Sequence, residues 1–135
     1  MQAKDIPFVK LIDIKESEEA LSLEYKEDSL NHLKTIHAGA QFTLAETQSG
    51  LYLQSLFPEL EGKVIPLLRD ATIKYKKPAE RKIVAIADVS QESITKFREQ
   101  FAKKGRGSID VNVIVQDSND VVTAQATFIW FVTKV

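Results

Sequence analysis

The sequence contains no cysteine and only two histidines, His32 and His37. The lack of cysteine excludes disulfides, thiolate nucleophiles and cysteine-ligated metals. Two histidines argue against a multi-histidine metal site, so we expect no metal ion. No G-x-S-x-G stretch occurs either, which leaves a serine-hydrolase mechanism without support.

A large net charge and long apolar runs are also lacking. The formal net charge is −1, whereas a protein that neutralises many phosphates needs a strongly basic surface. No apolar run approaches the roughly 20 residues of a membrane span, and the first residues, MQAKDIPF, lack the apolar region of a signal peptide. We therefore expect a cytoplasmic protein that binds neither nucleic acid nor a membrane.

Glycine and proline are scarce, with 5 and 4 residues, and no linker, repeat or low-complexity segment is visible. Of the 135 residues, 44% are apolar and 27% are charged, which is the composition of an ordinary globular protein. A chain of this length accommodates one hydrophobic core. We expect a single domain over residues 1–135.

The first half of the chain changes its pattern once. Apolar residues alternate with others around residues 8–14 and 21–25, which predicts a β-hairpin with the polar turn KESEE at 15–19. Residues 28–37 are predicted to form a loop. Over residues 38–57 apolar side chains cover most of a helical wheel, and Pro58 follows. This segment predicts one long, mostly buried helix.

The second half is predicted to form four strands, at 64–77, 82–90, 108–116 and 121–132, with a short helix at 92–105. Gly105 is the expected stop of that helix. In the first of these strands one face is expected to carry Ile65, Leu67, Ala71, Ile73 and Tyr75.

The order of these elements is typical of an α+β domain with an antiparallel sheet. A sheet of this size with one long helix has to curl around that helix. Its outer face would still carry valine, isoleucine and tyrosine, so we expect a partner to cover it.

Three polar positions around the helix start have a distinctive spacing. Asn31 stands six residues before His37, the tripeptide HAG begins at His37, and Glu46 stands nine residues after it. With the element order and the later segments ATIKYKKPA and GRGSIDVNVIVQ, the chain resembles hotdog-fold thioesterases of the phenylacetate-pathway and 4-hydroxybenzoyl-CoA types. It looks closest to a poorly characterised branch that carries a similar HAGAxFxLAE stretch. The resemblance implies a hotdog fold, a curved antiparallel sheet wrapped around one long central helix.

The sequence departs from the family pattern at two site positions. Ala38 replaces a glycine, which keeps the backbone N–H but adds a methyl group, and Glu46 replaces the aspartate of many members. The connection at 92–104 is also longer than usual.

Glu46 is the candidate catalytic carboxylate, as base or nucleophile. No basic residue stands three or four positions from it, so no local ion pair satisfies it. A carboxylate on a small, apolar helix face is costly unless it is used or hydrogen-bonded, and burial would raise its pKa. The alternative is a solvated stripe that Glu46 shares with Gln48.

The resemblance implies roles for the residues before the helix. The backbone N–H of Ala38 would bind the oxyanion, as unpaired N–H groups at a helix start can do. Asn31 would hold the thioester carbonyl or the attacking water, or else make an ordinary Asx-turn. His37 would shape the loop or donate a hydrogen bond. Gly39 would border the bound substrate.

Further residues are candidates for binding the substrate, with coenzyme A as part of it and no other cofactor. Phe42 would help to set the depth of the acyl pocket. Lys77 and Arg81 belong to one basic cluster that could bind the CoA phosphates, while Arg106 and Gly107 stand where the family places the nucleotide. Solvated strand ends are the alternative for these cations.

Three functions fit the sequence. The first is an acyl-CoA thioesterase that acts as a homodimer or a dimer of dimers, with its site between subunits. The second is a non-catalytic module that binds acyl groups or CoA. The third, ranked last, is a hotdog dehydratase. The acyl group, and the choice between CoA and an acyl carrier protein, stay open.

Overall fold

The computed structural model describes residues 1–17 and 20–135. Three helices and six strands follow in the order α1 (Pro7–Leu11), β1 (Lys15–Glu16), β2 (Leu21–Leu23), α2 (Ala38–Leu56), β3 (Val64–Tyr75), β4 (Ile83–Asp88), α3 (Gln91–Lys104), β5 (Arg106–Asp117) and β6 (Val122–Lys134). Short 3₁₀ turns occupy Ala3–Asp5, Glu27–Ser29 and Pro58–Leu60.

The strands form one sheet in the order β1-β2-β4-β5-β6-β3, and every neighbouring pair is antiparallel. Helix α2 packs on one face of this sheet. The sheet has one buried and one exposed face. In strand β5 every second residue from Ile109 to Val115 is buried, while the residues between them are exposed. The α+β architecture predicted from the sequence is confirmed.

Helix α2 begins and ends where its sequence indicates. His37 caps the first turn, and Pro58 follows the last turn because proline cannot continue a helix. Leu44, Ala45 and Leu53 face the sheet and are almost completely buried. The apolar residues of 38–57 thus form the central helix of the core, as predicted.

The N-terminal hairpin was predicted too long. Residues 7–11 form helix α1 rather than a strand, because Pro7 sits at the first helical position, where its fixed φ favours a helix. Only β1 and β2 pair as a hairpin. Two residues of the predicted turn, Glu18 and Glu19, lie outside the described residues.

The predicted shared face of β3 was wrong. The pairing with β6 shifts between Leu68 and Asp70, so Arg69 is an extra residue in the strand. Such a bulge reverses the side on which later residues point. Ile65 and Leu67 therefore lie on the outer face, whereas Ala71 and Ile73 pair beside the buried Phe128 and Ala126 on the inner face.

Helix α3 forms where the sequence predicts a short helix, and it has 14 residues. Ser90 accepts a hydrogen bond from the Ser93 N–H at its start, and Gly105 ends it with φ 69°. Phe97 is buried and lies 4.9 Å from Phe57, so α3 packs beyond the C-terminal end of α2. Among the described residues, no helix is both long and apolar enough to cross a membrane.

Candidate active site

The start of α2 offers an unused backbone donor. The Nδ1 atom of His37 accepts a hydrogen bond of 2.8 Å from the Gly39 N–H. The N–H of Ala38 donates to no acceptor within the residues that the structure describes. Ala38 and Gly39 are exposed. A free N–H at the positive end of a helix can stabilise a developing negative oxygen there.

Tyr75 fixes this helix start from the sheet. Its hydroxyl donates a hydrogen bond of 3.0 Å to the carbonyl oxygen of Ala38, 37 residues earlier in the chain. Partial burial raises the pKa of Tyr75, so the hydroxyl keeps its proton near neutral pH. Sequence reasoning missed this role. The only signal was a tyrosine at the end of an edge strand.

Asn31 organises the loop before the helix. Its Oδ1 atom accepts hydrogen bonds from the backbone N–H groups of Leu33 (2.9 Å) and Thr35 (3.1 Å). Its Nδ2 atom donates to the Thr35 hydroxyl at 2.9 Å. These hydrogen bonds form an Asx-turn. The Nδ2 atom retains one further N–H that can bind a ligand.

A cavity of about 330 Å³ brings three of the predicted residues together. Asn31, Ala38 and Lys77 all line it, and Tyr75 and Gln41 complete the wall beside them. The cavity therefore combines a helix N-terminus, an amide and a cation. These groups favour an anionic or strongly polar ligand.

Glu46 lies on the same helix but outside this cavity. It stands two turns beyond Ala38, or about 12 Å along the axis at about 1.5 Å per residue. Its side chain is half-buried, and burial raises the pKa of this carboxyl. In the described part of the chain no salt bridge or side-chain hydrogen bond satisfies it. A desolvated, unpaired carboxylate in such a setting suits a general base or nucleophile.

Aromatic rings pack one turn before and one turn after Glu46 on α2. The ring of Phe42, one turn earlier, lies 5.5 Å from that of Phe128 in an edge-on arrangement. One turn later, a Cβ atom built on Gly50 would lie 3.2 Å from the ring of Trp130. Trp130 is fixed there by a hydrogen bond of 2.9 Å from its Nε1 to the Ser49 hydroxyl. The residues one turn before and one turn after Glu46 therefore pack against aromatic rings of β6.

The predicted CoA-binding residues lie at two ends of the sheet. Lys77 follows β3 beside the helix start, and Arg81 lies 3.8 Å from Asp117 at the same end. Arg106 opens β5 at the opposite end, about 30 Å away at about 3.3 Å per strand residue. Gly107 is buried under α3, where a Cβ would lie 3.1 Å from Phe97. Packing against α3 accounts for this glycine.

Within the described ranges, no group of three or more histidine, aspartate or glutamate side chains is placed to hold a metal ion. The candidate site thus consists of Glu46, the helix start and the basic strand ends.

The family model that matches the sequence is the domain of unknown function DUF4442, over residues 7–132. The chain belongs to this family. No curated protein matches the DUF4442 chain.

Solved structures share its fold. A protein of unknown function from Pseudomonas aeruginosa, described as a probable thioesterase, is 22% identical with a TM-score of 0.81, over 98% of this chain and 90% of that one. A Bacillus halodurans protein solved with CoA is 22% identical with a TM-score of 0.73, over 94% and 76%. A thioesterase from Haemophilus influenzae is 15% identical with a TM-score of 0.73, over 94% and 82%. The hotdog fold implied by the sequence is confirmed.

Proposed function

We propose that this DUF4442 protein hydrolyses an acyl-CoA thioester. The observation that carries the proposal is Glu46, a half-buried carboxylate of raised pKa without a partner in the described residues. Its helix begins at an exposed N-terminus whose first N–H donates to no acceptor among the described residues. A carboxylate and an oxyanion donor are the two groups that acyl transfer to water requires. Similar folds in proteins described as thioesterases support the same reaction class.

In the proposed reaction, Glu46 takes a proton from a water molecule that attacks the thioester carbonyl. The carbonyl oxygen becomes an oxyanion and accepts a hydrogen bond from the Ala38 N–H. When the intermediate collapses, the carbon–sulfur bond breaks and the CoA sulfur recovers the proton from Glu46. The products are a carboxylic acid and CoA. Direct attack by Glu46, followed by hydrolysis of the anhydride, uses the same residues.

We propose that two chains build each site. Glu46 and Ala38 of one chain are about 12 Å apart along the helix, which is too far to act on one carbonyl. Strand β3 is an edge strand of 12 residues with no partner on its outer side in the described sheet. Long free edges pair readily with another strand. Antiparallel pairing of two β3 edges around a two-fold axis would bring Glu46 of one chain towards the partner's Ala38.

The same pairing would bring together the two basic residues that we propose to bind CoA, Lys77 and Arg106. Tyr75 pairs with Ala124 at one end of β3, and Val64 pairs with Lys134 at the other. A two-fold axis near the middle of the strand places the Lys77 end of one chain beside the Arg106 end of its partner. Both cations would then flank one entrance and bind the phosphates of CoA. The CoA in the Bacillus halodurans protein supports a nucleotide ligand for this fold.

The decisive experiment is a panel of acyl-CoA esters hydrolysed by the wild type and by Glu46→Gln. Glutamine keeps the size and hydrogen bonding but cannot accept the proton, so we expect kcat to fall about 100-fold or more. The control is Glu99→Gln, on the exposed side of α3, which should leave kcat unchanged. A wild type that binds CoA esters without hydrolysing them would instead identify an acyl-CoA-binding module.

A further inference from the structure

A larger cavity of about 610 Å³ lies at the C-terminal end of α2. It is bounded by the last turns of that helix, the 3₁₀ turn Pro58–Leu60, the β1–β2 hairpin and the ends of β3 and β6. One side of it is lined by apolar residues: Leu53, Phe57, Leu60, Val64, Pro66 and Val132. Apolar surface around an open space of this size is a feature of small-molecule sites.

This cavity is lined in part by residues on the same face of α2 as the candidate catalytic carboxylate. Gly50 and Leu53 follow Glu46 at helical spacings of four and seven residues, which places all three on one side of α2, and Phe57 follows directly after the helix. Gly50 has no side chain, and a Cβ at that position would come within 3.2 Å of the Trp130 ring. The glycine therefore lets the Trp130 indole pack against the helix, so the groups between Glu46 and the cavity are apolar.

The charges around the cavity select against an acidic ligand. Among the described residues that line it, none has a lysine, arginine or histidine side chain. The amino-terminal group of Met1, which also lines the cavity, lies 3.8 Å from Glu61. Glu16 adds a second carboxylate to the rim. A carboxylate at the far end of an acyl chain would meet the like charges of Glu16 and Glu61 at this rim.

We propose that the cavity binds the acyl chain of the substrate and that this chain is an unsubstituted aliphatic one of about twelve carbons. The length follows from the helix, since Glu46 and Phe57 are about 16 Å apart along the axis at about 1.5 Å per residue. An extended hydrocarbon advances about 1.3 Å for each carbon–carbon bond of about 1.5 Å. The proposal rests on the proposed function only for its choice of acyl-CoA as the ligand.

The test measures binding rather than turnover. S-butyl-CoA and S-decyl-CoA are thioethers that cannot be hydrolysed, and calorimetry gives the Kd of each. We expect the wild type to bind the decyl compound about 100-fold more tightly, because the added methylenes leave water. Leu60→Trp and Gln54→Trp fill the cavity from two different elements and should each reduce that preference at least about tenfold. Leu11→Trp, on an exposed residue of α1 outside the cavity, is the matched control and should keep it.

Equal affinity of the wild type for the two thioethers would overturn the proposal. So would a decyl preference that survives in both filling variants. Hydrolysis of the corresponding thioesters separates this proposal from the proposed function. Hydrolysis without chain-length preference leaves the thioesterase intact and overturns the acyl site. Preference for the decyl chain without any hydrolysis supports the site and contradicts the thioesterase.

Discussion

The Tyr75 hydroxyl and the Ala38 carbonyl oxygen, 3.0 Å apart, join the edge strand β3 to the first turn of α2. The peptide that carries this carbonyl directly follows the proposed oxyanion donor. This hydrogen bond therefore connects the edge strand directly to the helix start. If β3 pairs with a second chain, Tyr75 couples that pairing to the geometry of the site.

Tyr75→Phe removes this hydrogen bond and little else. We expect kcat for acyl-CoA hydrolysis to fall about fivefold, since one hydrogen bond contributes about 1 kcal/mol, while KM changes less than twofold. Steady-state kinetics provide the measurement. Thr127→Val is the control, because it removes an exposed hydrogen bond of 2.9 Å from the Thr127 hydroxyl to Asn112 on the sheet. A raised KM with unchanged kcat would mean that Tyr75 contacts the substrate instead.

Ala38→Pro deletes the proposed oxyanion donor without a major change in the fold. Proline is favoured at the first helical position, and His37, with φ −58° and ψ 138°, already has the conformation that precedes proline. We expect kcat to fall about 100-fold or more while circular dichroism stays unchanged. Ala38→Gly keeps the N–H and should keep the activity. Normal turnover by the proline variant would exclude this N–H as the donor.

The raised pKa of Glu46 predicts a cost in stability. In the folded protein this carboxyl keeps its proton at pH values at which the unfolded chain, with the usual value of 4.5, has released it. Its stabilising contribution is complete below pH 4.5 and is lost as the pH rises through the folded pKa. We therefore expect Glu46→Gln to melt at a higher temperature than the wild type at pH 7, with a smaller difference at pH 4. Thermal unfolding across this pH range measures both.

The same titration should govern the reaction. A base works only when deprotonated, so kcat/KM should rise with pH through a pKa above that of an ordinary glutamate. The residual kcat/KM of Glu46→Gln should not show this rise with pH. An identical acid limb in both proteins would assign the titration to another group.

Arg106→Glu tests the proposed phosphate contact. We expect KM for acyl-CoA to rise about tenfold with kcat unchanged, because a contact made equally in the ground and transition states is lost. Lys96→Glu reverses a charge on the exposed side of α3 and should change neither constant. If KM for Arg106→Glu stays at the wild-type value, the nucleotide binds elsewhere.

Regular patterns predicted most of the fold. The central helix and the alternation of β5 each extend over many residues, so a single exception does not hide their period. The bulge at Arg69 could not be foreseen, because one extra residue leaves the apolar alternation of β3 intact while it reverses the faces. Residues 7–11 were misassigned because a short alternating segment also fits one helical turn after Pro7.

The candidate site was predictable to the extent that its residues are close in sequence. Asn31 and Ala38 flank one loop and meet in one cavity with Lys77. The contact between Tyr75 and Ala38 joins residues 37 positions apart, and no local pattern encodes such a pairing. Gly107 was predicted to border the nucleotide, yet its lack of a side chain is required by α3, which packs over it.

A mixing experiment tests the two-chain catalytic site most directly. Ala38→Pro and Glu46→Gln, each nearly inactive alone, are combined under conditions that exchange subunits, and acyl-CoA hydrolysis is measured. Each hybrid dimer contains one site with both an Ala38 N–H and a Glu46 carboxylate. Random exchange of a two-fold dimer should therefore restore about a quarter of the wild-type activity. A mixture that forms hybrid dimers but is no more active than its components would contradict the shared site.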